Sequence, residues 1–350
     1  MQPRIPVAIL AATGTVGQRF VQLLADHPWF EITALVGSER SAGKPYAEAT
    51  QWRLDGELPP AFADMIVSPL TTDLPARIVF SALPHSVALE LEPQYAQAGY
   101  AVSSNARAFR QTEHVPLLIP EVNADHLTML PRQRQARGWP GLIVTSPNCT
   151  TTGVAMPLKP LDDAFGVEQV FVVSMQAISG AGYPGVASLD ITDNIYPYIS
   201  GEEEKMQPET RLLLGSMDSD RRIPHTLTAS AHCNRVPVID GHTSCISVGF
   251  KQRVSIEEAT QVLQDFTSAP GVSQLPSALP NPIIVRPEPD RPQPRLDRDA
   301  KNGMAVSVGR LRTCNLLDLS MVSVVHNTLR GAASGAILNA ELLVQQGYVE

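Results

Sequence analysis

Pro6-Val7-Ala8-Ile9-Leu10-Ala11-Ala12-Thr13-Gly14-Thr15-Val16-Gly17 runs from a short apolar segment into a turn that holds two glycines. Pro6–Leu10 has the unbroken apolar character of a strand covered on both faces, as strands of a parallel sheet are. After the turn, Gln18–Asp26 gathers Phe20, Val21, Leu23 and Leu24 on one side and reads as an amphipathic helix. Strand, glycine turn and helix form half of a βαβ unit, and the pattern continues. Ile32–Val36, Ile78–Leu83 and Ala101–Asn105 read as further strands, with a helix from about Ser86 to Ala98. This alternation predicts an α/β fold that opens with a Rossmann-like parallel sheet.

Such sheets bind ligands at the carboxyl ends of their strands, so Thr13, Gly14, Thr15, Val16 and Gly17 form the expected pyrophosphate cradle. A strict dinucleotide fingerprint has three glycines. Here Ala11 occupies the first of these positions, and the chain is expected to turn at Gly14 instead. At the end of the second strand, Ser38, Arg40, Ser41 and Lys44 offer hydrogen-bond donors, with Glu39 as the one opposing charge. Cations and hydroxyls at this place suit a ribose 2′-phosphate, which predicts NADP rather than NAD.

Beyond residue 148 the texture changes. Val170–Gln176, Ser244–Gln252, Gly303–Leu311 and Leu316–Val325 read as longer, partly alternating strands, which suggests an α+β unit with a mixed sheet. Gly331–Gln346 has helical apolar spacing and is expected to return to the first domain. The expected division is 1–148, completed by 327–350, for the cofactor domain and 149–326 for a catalytic and dimerisation domain. The proline-rich stretch Pro276–Arg298 reads as an extended loop.

Composition narrows the function. The chain has 350 residues, of which 43% are hydrophobic and 18% charged, with a net charge of −8. That balance argues against a nucleic-acid partner or an anionic membrane surface. No apolar run reaches the roughly 18 residues of a membrane span, and the N-terminus lacks a signal-type pattern. The four cysteines, at 149, 233, 245 and 314, have no CxxC pairing, so neither a metal site nor a disulfide framework is expected, and a reducing cytoplasmic setting is.

One of these cysteines stands apart. Ser146-Pro147-Asn148-Cys149-Thr150-Thr151-Thr152-Gly153 places a thiol after a rigid turn and at the start of a helix. A helix N-terminus presents unpaired N–H groups and positive potential, expected to lower the thiol pKa and to supply oxyanion donors. The competing interpretation is a small buried hydrophobe. Downstream, Arg235 in Cys233-Asn234-Arg235-Val236-Pro237-Val238 offers a planar fork for a carboxylate. His242 in Asp240-Gly241-His242-Thr243 is a candidate acid/base partner for the thiol, and Glu202-Glu203-Glu204-Lys205 supplies both signs. Taken singly, these could be a surface ion-pair partner, an exposed turn histidine and a solvated helix start.

Pro147-Asn148-Cys149-Thr150, Gln176-Ala177-Ile178-Ser179-Gly180-Ala181-Gly182, the 233–243 segment, Arg291-Pro292-Gln293-Pro294-Arg295 and Asn327-Thr328-Leu329-Arg330-Gly331-Ala332-Ala333 together resemble the aspartate-semialdehyde dehydrogenase family, in its archaeal and fungal branch. The resemblance covers almost the whole chain. It implies NADP-linked, phosphate-dependent interconversion of L-aspartyl 4-phosphate and L-aspartate 4-semialdehyde through a Cys149 thioester, serving lysine, threonine and methionine biosynthesis, with His242 as acid/base. It further implies that Arg235 holds the substrate carboxylate, Glu202 its ammonium, and Lys205 and Arg110 its phosphate. Asn148 and Gln176 would orient substrate, while Gly180 and Asn327 would meet the cofactor. A homodimer or homotetramer is expected. The rivals are an acyl-CoA reductase of the malonyl-CoA type on the same scaffold, an acetylglutamyl-phosphate reductase, whose acetylated amine would not need Glu202, and a non-catalytic dinucleotide sensor.

Overall fold

The computed structural model describes residues 3–349. Five parallel strands build the first sheet: β1 (Ile5–Leu10), β2 (Phe30–Val36), β3 (Ile78–Ser81), β4 (Ala101–Ser104) and β5 (Leu142–Thr145), in the order β2-β1-β3-β4-β5. Val7 pairs with Ile78 and Ile32, and Ile78 with Ala101. β3, β4 and β5 are buried along their whole length, which explains their continuous apolar or small-residue character. Val7, Ile9, Phe20, Phe30, Phe80 and Leu142 share one core. Each such side chain contributes about 1.5–3 kcal/mol by leaving water.

The second sheet is mixed, as its texture predicts. It contains β6 (Val167–Gln176), β9 (Thr228–Arg235), β10 (His242–Phe250), β11 (Ile283–Arg286), β12 (Val306–Thr313) and β13 (Leu319–Val325), ordered β11-β12-β13-β10-β6-β9. β6 and β9 run parallel, while β10 is antiparallel to both β6 and β13. A separate hairpin joins β7 (Ser216–Asp218) to β8 (Arg221–Ile223). The Cys149–Phe165 helix leaves the end of β5 and packs on the inner face of this second sheet. The last helix, Ser334–Gln345, returns to the first sheet, where Ala336, Ile337, Ala340 and Leu343 join the β1 core. Ser103 Oγ donates to the Ala336 carbonyl, and buried His27 meets Glu341 at 2.8 Å.

Several elements differ from the sequence expectation. The first helix spans Thr15–Leu24, so it begins within the glycine turn rather than after it. Ala11 itself takes the left-handed conformation at φ +56°, while Gly14 stays extended at φ −78°. The turn is therefore made by the alanine, at a cost of about 1 kcal/mol relative to glycine. The 276–298 stretch is not a plain loop. It contributes β11 and a short Pro294–Asp297 helix, clamped where Asp297 accepts two hydrogen bonds from Arg291. The tail helix is preceded by a π-helical turn, Leu329–Ala333, that places Gly331 against Cys149.

Candidate active site

A cavity of about 750 Å³ lies between the two sheets. Thr15, Val16 and Ala82–Pro84 line one wall. The other carries Asn148, Cys149, Gln176, Glu202, Arg235 and Asn327. Residues spread over almost 200 positions converge because β5, β6, β9 and β10 all end or begin here: Cys149 follows β5, Gln176 and Arg235 close β6 and β9, and His242 opens β10.

Asn148 caps the Cys149–Phe165 helix, its Oδ1 accepting from the N–H groups of Thr150 and Thr151. Thr152 N–H donates to the Asn148 carbonyl. The thiol sits at the helix start, as expected, but these three donors are already engaged, so the supply expected for an oxyanion is largely used up by the cap. Cys149 Sγ lies 3.2 Å from His242 Nε2. The expected fall in thiol pKa is also corrected. Burial, reinforced by Glu202, pushes the Cys149 thiol up to about 12, against the pull of Arg110 and Arg235. Burial, Arg235 and His326 push His242 down to about 3, with Glu202 opposing. Both groups therefore rest neutral, since the low dielectric penalises a charged pair more than the helix dipole rewards a thiolate.

Glu202 is the polar hub. Its Oε1 accepts from Asn148 Nδ2 at 2.7 Å and from Gln176 Nε2 at 3.2 Å, and its Oε2 accepts from Lys205 at 2.8 Å. Burial alone would raise its pKa, but Lys205 and the two amides more than offset that and hold it below the ordinary carboxylate range. Arg235, 5% exposed, donates from Nη1 to the Ala177 carbonyl at 2.8 Å and keeps its other nitrogens for the cavity. Arg110 donates to Glu209 at 3.0 Å and to the Asn105 carbonyl.

Two residues escaped the sequence reading. Glu209, 1% exposed, accepts from Arg110 and, at 2.6 Å, from the Asn148 backbone N–H, so it ties the cation to the nucleophile's turn. The signal was present in the spacing: Glu202, Met206 and Glu209 follow i, i+4, i+7 and share one helix face. Arg107, exposed on the wall beside Arg110, is a further cation in the cavity, preceding it by one helical turn.

The first-sheet end of the cavity fits a dinucleotide. The Thr15–Leu24 helix has no side-chain cap, which leaves its first N–H groups for an anion. Gly17 packs so tightly that a Cβ would lie 2.2 Å from the Ala11 carbonyl oxygen, and Gly14 is open to solvent. Thr13 lends its carbonyl to Gln18 and Thr50, which stiffens the turn. Ser38 and Arg40 are exposed at the end of β2. Ser41 differs from expectation: it is buried, and its hydroxyl donates to the Ser38 carbonyl, closing the turn instead of facing a ligand. Gly180 lies over the site where a Cβ would meet Arg235 and His242 within 3.1 Å. Asn327 accepts from Gly241 N–H and donates to Ser179 Oγ, so it links the histidine's turn to the glycine loop.

A parallel nucleotide-type sheet facing a cysteine–histidine pair across a domain cleft defines the semialdehyde dehydrogenase class. Residues 6–130 match the semialdehyde dehydrogenase NAD-binding domain, and residues 158–330 match the dimerisation domain of the same class. An aspartate-semialdehyde dehydrogenase of Archaeoglobus fulgidus is 50% identical over 99% of this chain and 100% of its own length. One of Schizosaccharomyces pombe is also 50% identical, over 98% of this chain and 99% of its own. The crystal structure of the Candida albicans enzyme with NADP superposes with a TM-score of 0.90 at 42% identity, covering 98% of this chain and 99% of that one. The chain belongs to the aspartate-semialdehyde dehydrogenase family.

Proposed function

We propose that this protein reduces L-aspartyl 4-phosphate to L-aspartate 4-semialdehyde with NADPH, reversibly and with release of phosphate, as a step toward lysine, threonine and methionine. The observation that carries this is the 3.2 Å Cys149–His242 contact inside a cleft that also holds Arg235 and Glu202. Cys149 attacks the acyl carbon and becomes a thioester. Bound NADPH supplies the hydride that reduces it. Arg235 holds the α-carboxylate, Glu202 the α-ammonium, and Arg110 with Lys205 the phosphate; Asn148 and Gln176 steer the acyl group toward sulfur. Glu202 suits an ammonium because it is kept ionised while three donors fix its orientation. Thr13, Gly14, Thr15, Val16 and Gly17 cradle the pyrophosphate, Ser38 and Arg40 face the 2′-phosphate, and Gly180 and Asn327 flank the nicotinamide end.

The working unit is a homo-oligomer, a dimer or tetramer, built on the second sheet, whose outer face leaves Phe171 40% exposed beside exposed Cys245. All four cysteines are unpaired and, among the described residues, no helix is long and apolar enough to cross a membrane. Both fit a cytoplasmic enzyme.

The direct test compares NADPH formation from aspartate semialdehyde plus phosphate with NADPH oxidation by malonyl-CoA. The first should be rapid and phosphate-dependent; activity with malonyl-CoA alone would overturn the assignment in favour of the acyl-CoA reductase.

Two substitutions probe the ligand contacts. Arg235→Lys should lower kcat/KM for the semialdehyde by about 10- to 100-fold, because an ammonium cannot make the bidentate pair. Unchanged kinetics would remove Arg235 from the carboxylate site. Arg40→Ala should reduce the preference for NADP over NAD by about tenfold, roughly the 1.4 kcal/mol of one exposed charge-assisted contact. An unaltered NADP/NAD ratio would place the 2′-phosphate elsewhere.

A further inference from the structure

The imidazole of His242 is held from both sides. On one, the backbone N–H of Ala177 donates to Nδ1 at 3.0 Å. On the other, Nε2 faces the Cys149 sulfur at 3.2 Å. A backbone amide can only donate, so Nδ1 must present its lone pair, and the single proton of a neutral imidazole then resides on Nε2. A second proton would have to go on Nδ1, against the Ala177 N–H. The ring cannot turn over to avoid this. Ala177 follows Gln176 at the end of β6, and Gly180 packs against Cε1 and Nε2 so closely that even a Cβ there would come within 3.1 Å of both.

The sulfur is in the same position. Its two partners, Nε2–H and the Thr150 backbone N–H, are both donors. This arrangement supports negative charge on sulfur but gives the thiol proton nowhere to go. The charged and titratable groups around the ring do not change that: Arg235 from β9 and His326 after β13 oppose a cationic imidazole, and only Glu202 favours one.

We propose that His242 works throughout as a neutral Nε2–H hydrogen-bond donor, and that a phosphoryl oxygen of the acyl phosphate takes the Cys149 proton. This rests on the substrate reading above. The step balances without a further reactant. The S–C bond forms, the bond from the acyl carbon to the phosphate oxygen breaks, and the thiol proton leaves on hydrogen phosphate; nothing is oxidised or reduced. Phosphate is suited to the task because its second pKa lies near 6 and Arg110 and Lys205 bring it to the same wall as the sulfur. His242 Nε2–H then stabilises the sulfur as its charge develops, as a preorganised donor does.

The test has two arms. In the first, ¹⁵N NMR of the histidine-labelled protein, with the His242 signals assigned by their loss in His242→Gln, should show Nδ1 unprotonated and Nε2 protonated between pH 6 and 8. A protonated Nδ1, or a doubly protonated ring, would overturn the proposal. In the second, release of phosphate from aspartyl phosphate is followed in a single turnover without NADPH. His242→Gln keeps a donor at the Nε2 position but has no basicity; it should remain within about tenfold of the wild type, while His242→Ala falls about a hundredfold. Equal loss in the two variants, with both folded by circular dichroism, would make His242 the base and sink the idea. Absence of phosphate release in the wild type would count against the substrate reading itself, and the NMR arm would still decide the state of the imidazole.

Discussion

Replacing Cys149 by serine should lower turnover of aspartate semialdehyde and phosphate by about 10⁴-fold or more, while NADP affinity stays within about twofold of the wild type. A thiol is a competent nucleophile once its proton is gone, whereas a serine hydroxyl needs a strong neighbouring base to reach a comparable state. The surroundings of residue 149 offer none: Nε2 of His242 and the Thr150 amide both donate. The cofactor surfaces at Thr15, Val16 and Asn327 are made by other segments, so binding should survive. Initial rates and a fluorescence titration of NADPH read the two quantities. Activity within a hundredfold of the wild type would mean another nucleophile, and parallel loss of cofactor binding would mean a structural role. The resting state can be checked separately. Because burial drives the Cys149 thiol up to about 12, the thiolate fraction in the free enzyme should grow about tenfold per pH unit. Alkylation of Cys149 should therefore keep accelerating from pH 7 to above pH 9; a plateau near pH 7 would reveal a preformed thiolate.

Much of the fold was readable because its signals are local. β1, β3 and β4 are short, apolar and punctuated by turns, so period and length sufficed to find them. β9 was missed because Thr228–Arg235 is polar along one face, with its residues alternating between exposed and half-buried before Cys233, and because Arg235 stood next to Pro237. The 276–298 segment read as a loop because prolines mask strand periodicity, whereas what orders it is the long-range clamp of Arg291 on Asp297. Site residues could be nominated singly from chemistry, and the structure gathers them in one cleft, but their partners could not be read. That Asn148 would spend its side chain on capping, that Ser41 would turn inward, or that Glu209 would tether Arg110 depends on contacts between distant elements. The thiol pKa was misjudged for the same reason. A helix N-terminus is visible in sequence, but the surrounding desolvation is not, and burial is the larger effect.

Glu121→Gln should destabilise the folded protein by about 3–5 kcal/mol, because it leaves a buried guanidinium without its counter-charge. Arg330 donates to Glu121 Oε1 at 2.8 Å and to Oε2 at 2.6 Å, with side-chain exposures of 2% and 0% for the two partners. A glutamine of the same shape retains one acceptor but turns an N–H₂ toward the other guanidinium nitrogen, replacing attraction with a donor–donor conflict. The consequence should reach the site. Arg330 lies in the π-helical turn 329–333, and the next residue, Gly331, touches Cys149 so closely that an added Cβ would sit 2.6 Å from the cysteine's own. Loosening Arg330 frees the wall behind the nucleophile, so turnover should fall as well. Urea unfolding gives the stability change through the midpoint at constant slope. The paired variant Glu121→Leu with Arg330→Met removes both charges and should recover most of the lost stability, since matched hydrophobes can replace a buried ion pair at little cost. It should recover turnover only in part, because two flexible apolar side chains do not hold the turn's register as a bidentate pair does. A Glu121→Gln protein within 1 kcal/mol of the wild type would show that Arg330 finds another partner, and full turnover in the paired variant would show that the nucleophile's wall stands without the ion pair.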